Sequence, residues 1–174
     1  MSFSLYNSSV PVFERSLNAF SAILDKAGAH AEASKFDPAI YLTLRLRPDM
    51  FPLGRQVQIF CDHAKNGSLR LAGVEPPKFE DTEASLGDLK ARIQKTLDLL
   101  AKLDPTAVDA AADRDIVFPV GPNQAKMVGA NYITHFVLPN FHFHLTTAYG
   151  ILRYAGVPIG KRDFMGAIPG FALV

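Results

Sequence analysis

The sequence predicts an all-α fold, an antiparallel four-helix bundle, on three observations. Apolar residues recur at helical steps of three and four in four separate stretches. Loops bearing proline and glycine part these stretches. A composition of 48% apolar and 20% charged residues over 174 positions is ordinary globular usage, enough for one sizeable core. One domain over residues 1–174 is therefore expected, with a small hairpin or ordered loop before the last long helix.

Val10, Phe13, Leu17, Phe20, Leu24 and Ala27 carry the first helix, because alternating steps of three and four put them on one buried stripe. Pro11 suits its first turn, where a missing N–H costs little, and Gly28 begins its decay. Residues 37–50 read as a short helix and a connection, with Asp37 able to cap, Pro38 able to open the helix and Pro48 ending it. A second long helix starts near Met50 or Phe51, with Pro52 in its first turn. It carries Leu53, Val57, Phe60 or Cys61, Ala64 and Leu71 and stops at Gly73. Gly67 inside it costs about 1 kcal/mol relative to alanine.

Leu86, Leu89, Ile93, Leu97, Leu100 and Leu103 set the third helix, which Ser85 and Asp88 open in the pattern of a capping box and Pro105 closes. Residues 115–128 are β-branched and aromatic around a Gly-Pro-Asn turn, which predicts the hairpin or ordered loop, and Pro119 confines it to an edge. The fourth helix runs from about Asn131 to Ala155 and stops at Gly156, with Pro158 beyond. The Gly- and Pro-punctuated tail after it is expected across the bundle surface or at a partner.

A net charge of +1 without a long Lys/Arg run argues against nucleic acid and anionic membranes as partners. No apolar run approaches the roughly 20 residues that span a bilayer, and the first residues lack the basic and apolar regions of a secretory signal. Cys61 is the single cysteine and has no partner within the chain; its setting, QIFCDHA, predicts a small buried apolar role. A cytoplasmic protein is expected.

The residues able to do chemistry gather in two helices. In the stretch HFVLPNFHFH, Pro139 lies two turns into the fourth helix and should release the carbonyl of His135 and kink the helix, either to aim side chains or to accommodate an aromatic core. At about 100° per residue, Asn140 and His144 share one face, whereas His135 and His142 share roughly the opposite one. Two histidines four apart would need only a third ligand from another helix to hold a metal, but the first of these positions is asparagine. The second helix supplies Gln56, Gln58, Asp62, His63 and Lys65. Of these, Asp62, His63 and Lys65 read as a solvated face. Gln58 and Asp62, four apart, can instead point inward and partner Asn140 or His144. His30 is expected at the surface. Neither a G-x-S-x-G nucleophile elbow nor a phosphate-binding glycine loop occurs.

Three stretches, LYNSSVPVFERSLNAFSAILDKAGAHAEA, RPDMFPLGRQVQIFCDHAKNGSLRLAGVEPP and HFVLPNFHFHLTTAYGILRYAGVPIGKRDFMG, carry a resemblance over nearly the whole chain. It is to an uncharacterised bacterial domain-of-unknown-function family within the DinB/YfiT-like superfamily of four-helix bundles. The superfamily implies a cleft at one end of the bundle, where one histidine of the second helix and an i, i+4 pair of a later helix hold a divalent metal. Some relatives resemble thiol-dependent transferases, isomerases or hydrolases of small molecules. Leu152, Arg153, Gly156, Val157 and Pro158 match the superfamily's LR..GVP ending. Counting back from it puts His144 on the second ligand position and Asn140 on the first, while Gln58 and His63 both lie near the helix-two position.

The function expected from these readings is a helical bundle whose polar cleft, lined by Gln58, Asp62, Asn140 and His144, binds a small molecule without a firmly held metal. A metal-dependent enzyme is the second expectation, with His63, His135 and His144 as ligands of zinc or nickel. A structural or interaction protein forming a homodimer, its apolar tail among the contact surfaces, is the third.

Overall fold

The Ser4 hydroxyl accepts a hydrogen bond from the Asn7 amide at 3.0 Å, and this cap starts helix α1, Leu5–Ala33, in a computed structural model that describes residues 4–172. Asp109 holds the cap in place by accepting from Ser4 Oγ and from the Tyr6 amide. The helix therefore begins before Val10, and Pro11 sits inside it rather than in its first turn; the Pro11 ring lies on the exposed side, where the carbonyl it leaves unpaired can meet water. Helix α2, Ile40–Thr43, follows, with the Asp37 carboxylate accepting from the Ala39 amide. His30 is half-buried against this turn rather than exposed, its Nδ1 2.6 Å from Tyr41 Oη.

Helix α3, Leu53–Leu71, follows Pro52, which makes no side-chain cap bond, and ends before Gly73, whose φ of 75° suits glycine. The Ser85–Asp88 capping box opens α4, Leu86–Leu100. Pro105 does not simply close that helix: with Asp104 as cap it starts a further short one, α5, Pro105–Asp109. Strands β1, Asp115–Val120, and β2, Asn123–Val128, pair antiparallel from Asp115 opposite Val128 to Val120 opposite Asn123. The described residues are thus mostly helical rather than all-α, with one small two-stranded sheet.

The last long helical run has three parts: α6, Gly129–Asn131, a π-helical stretch, Tyr132–Val137, and α7, Leu138–Tyr154. Pro139 was expected mid-helix; it falls in the first turn of α7, where its missing N–H is tolerated, and the disturbance is taken up just upstream as the π turn. The Leu138 amide accordingly donates to the Ile133 carbonyl, five residues back. Helix α8, Lys161–Met165, lies against α1, where Lys26 meets Asp163 at 2.6 Å. This puts the described part of the tail, at α8, on the protein's own surface; its last two residues, 173 and 174, lie outside the described residues.

Helix α3 packs against α1, α4, the π stretch and α7. Phe13 of α1, Phe60 of α3 and Phe141 of α7 meet edge to face, at 4.7 Å between Phe13 and Phe141 and 6.0 Å between Phe60 and Phe141. Two glycines set how closely the helices approach. A Cβ on Gly67 would lie 2.5 Å from Val137 Cγ1, and one on Gly129 would lie 2.0 Å from the Ala111 carbonyl oxygen. Gly67 thus reflects tertiary packing, not a weak point in the helix. Cys61 is fully buried, and burial pushes its thiol up to about 12. No helix among the described residues is long and apolar enough to cross a membrane.

Candidate functional site

The polar residues of α3 divide between two faces. Gln56 and His63 are seven apart, which at about 100° per residue returns almost to the same direction; Gln58 lies about 200° from Gln56, on the other side of the helix. The Gln58 side looks toward α4 and the segment 74–85. There Gln58 Nε2 donates to Glu83 at 2.8 Å, and Asp62 accepts from Arg92 at 3.1 Å and pairs with Lys65 at 3.2 Å. Arg92, only 2% exposed, also meets Glu83 at 2.9 Å and Asp81 at 3.1 Å. Lys65 is buried rather than solvated, because segment 74–85 crosses over it: its ammonium donates to the Pro77 carbonyl at 2.7 Å and sits 4.0 Å from the Phe79 ring centroid. Opposite charges are paired throughout this face.

The Gln56 side looks toward α7 and carries no such pairs. Gln56 Nε2 donates to the Phe51 carbonyl at 3.0 Å, and a carbonyl can only accept, so the amide oxygen is the end turned to His144 Nδ1, 2.7 Å away. His144 Nδ1 must therefore carry the proton, which leaves Nε2 as the ring's lone-pair nitrogen. The His63 ring lies 6.0 Å from the His144 ring, nearly parallel to it at 13°, and meets Phe136 edge to face at 5.9 Å. Burial, then the neighbouring His144 and Arg70, lower the His63 pKa to about 4. Burial first and Arg55 second also lower His144. Both rings are neutral at neutral pH.

Beside His63 a cavity of about 220 Å³ opens between α3, the π stretch and β1. Arg55, Asp62, His63 and Arg70 give it polar walls, and Tyr132, Phe118 and Phe136 close its apolar side. The π turn puts Tyr132 and Phe136 in parallel, 14° apart, with Phe118 tilted against both at 4.6 and 4.7 Å. Arg70 Nη1 donates to Tyr132 Oη at 3.2 Å, which ties α3 to this aromatic wall.

The residues expected to line one cleft do not all meet. Asp62 borders the cavity and His144 stands next to His63, but Gln58 is turned toward Glu83 and Arg55. Asn140 donates to the Phe136 carbonyl in its own helical run at 2.7 Å, so the expected pairing of Asn140 or His144 with Gln58 and Asp62 does not form. Gln56, not Gln58, partners His144. Gln56 was legible: it lies three residues after Leu53 and four before Phe60, on the apolar stripe, and is 1% exposed. His142 points to the α1 side, where burial and Arg15 lower its pKa.

A divalent ion fits these residues poorly. His135 is exposed and does not join His63 and His144, and no three His, Cys, Asp or Glu side chains among the described residues are grouped to hold a metal. At the position where a helical histidine pair would be completed, the Asn140 side-chain amide donates to the Phe136 carbonyl of its own helical run.

A helical protein with a neutral histidine pair beside a small arginine-bordered cavity is the class this geometry defines. The chain belongs to the family described as Domain of unknown function (DUF1993), matched over residues 5–165. The crystal structure of a DinB family member protein from Shewanella denitrificans is similar at 41% identity, with a TM-score of 0.90 over 97% of this chain and 96% of that one. The chain is thus DinB-like, as its sequence resemblance implied. No curated protein matches it.

Proposed function

We propose that this protein binds a small molecule in the cavity beside His63, with the four long helices, α1, α3, α4 and α6 to α7, acting as an antiparallel bundle that holds the walls. The observation that carries this reading is the contrast in pairing. The charged groups on the α4 side of α3 are paired with one another, whereas the α7 side carries two neutral rings, His63 at the wall of the cavity and His144 stacked on it with a lone-pair nitrogen. A neutral imidazole at a pocket wall, as His63 is, can accept a proton or a hydrogen bond from a ligand without first losing a charge. Asp62 contributes a wall of the cavity while its charge stays with Arg92 and Lys65.

A fragment screen followed by NMR tests the reading. Fragments that bind should perturb His63, Arg70 and Tyr132 together. Binders that cluster instead in the apolar groove of Phe36, Ile40, Tyr41 and Tyr154, leaving His63 untouched, would contradict it.

A further inference from the structure

We infer that the ligand of this cavity is a small organic monoanion, a carboxylate carrying an apolar group, held by Arg70; this rests on the reading that the cavity is a binding site. Three charged side chains border the cavity, and two are already neutralised. Arg55 pairs with Asp81, and Asp62 is shared by Lys65 and Arg92. Arg70 forms no ion pair with any carboxylate among the described residues, and its Nη1 contact is to the neutral Tyr132 hydroxyl. One uncompensated positive charge at the wall of a cavity suits one negative charge in it.

A guanidinium offers five N–H donors in a planar fork, so the donors beyond the Tyr132 contact remain to grip a planar carboxylate at two points. Neutral His63 adds no charge to call for a dianion. The rest of the ligand is set by the other walls: Ile59, Phe118, Pro119 and Phe136 are apolar, and 220 Å³ is below the roughly 300 Å³ at which drug-sized sites begin. An anion with a short aliphatic or single aromatic group fits this combination. A phosphate would leave the apolar walls without a partner.

Titration of the full chain with benzoate and butyrate, with benzyl alcohol as the neutral counterpart and with inorganic phosphate, followed through the His63 ring and Arg70 side-chain NMR signals, tests this. The carboxylates should move both sets of signals and bind roughly tenfold or more tighter than benzyl alcohol, about what one charge-assisted contact contributes. Arg70→Gln should remove that advantage while the chain still folds, its melting temperature lowered modestly by loss of the Tyr132 contact. If Arg70→Gln does not fold, Arg70→Lys, which keeps the charge and loses the fork, should weaken benzoate, and unchanged affinity there would overturn the assignment. Benzyl alcohol binding as tightly as benzoate at the same signals would overturn the anion while leaving the cavity a binding site. Phosphate binding better than the carboxylates would overturn the apolar part. No response to any probe would remove the binding site and the anion together.

Discussion

The two faces of α3 handle buried polarity in opposite ways. Toward α4, Asp62, Lys65, Arg92 and Glu83 form a charged network that segment 74–85 closes over, with Lys65 and Arg92 each 2% exposed. Toward α7, Gln56, His63 and His144 are neutral; Gln56 is bonded at both ends, while His144 keeps its Nε2 lone pair. Buried charges must be paired or they cost several kcal/mol, so the charges of the first face are committed to one another. Neutral imidazoles carry a smaller burial penalty, and that lets the second face keep an open position for a ligand.

The largest effect that would sharpen this contrast comes from Arg92→Met. Removing one member of a buried ion network costs about 3–5 kcal/mol, and the lower end applies because Asp62 keeps Lys65 and Asp81 keeps Arg55. Denaturant unfolding should show a loss of about 3 kcal/mol, while the His63 and His144 ring signals stay in place. If those signals moved as much as the stability, the two faces would not be independent.

A pH series probes the other face. His63 is held at about 4, below its ordinary value of 6.5, so between those values the unfolded chain binds a proton that the folded one refuses. Stability is therefore intact above about pH 6.5 and falls as the pH drops toward 4, by on the order of 3 kcal/mol for this group, with His142 and His144 acting in the same direction. His63→Phe should flatten the largest single part of that slope in melting temperature against pH. An unchanged slope would mean the ring is not buried as described.

Gly67→Ala gives a smaller change at the seam between α3 and the π stretch. Its Cβ would meet Val137 at 2.5 Å, and overpacking of about 1–3 kcal/mol should outweigh the roughly 1 kcal/mol that alanine gains in helix propensity. The expected outcome is a net loss of about 1 kcal/mol in thermal unfolding, with the disturbance concentrated at Tyr132 and Phe136 on the π stretch. A stabilised variant would show that the two elements are not held this close.

The long amphipathic helices were legible because their apolar stripes are local, and so was the Ser85–Asp88 capping box. The hairpin was also legible, with Pro119 opposite Gln124 on a two-stranded sheet that is all edge. What periodicity cannot carry is the path of an irregular segment. Lys65 reads as solvated until residues 74–85 are laid across it, and Gly67 reads as a weakness until Val137 is brought against it. The site was half legible. His144 and His63 stood out as residue types, but the choice between Gln56 and Gln58 depended on which side of α3 meets α7, and Asn140 was diverted by the carbonyl of Phe136. The π turn, which sets the aromatic wall, has no period of its own in the sequence; Pro139 marked the place but suggested a kink.

A ligand site here requires that the α7 side of α3 be neutral and hold a free imidazole nitrogen. Long-range proton–nitrogen NMR correlation of the histidine rings, at pH 6 for His63 and at pH 7.5 for His144, measures it directly. His63 should be neutral, and His144 should carry its proton on Nδ1, facing Gln56, and a bare Nε2. A charged His63, or a His144 protonated on Nε2, would contradict it.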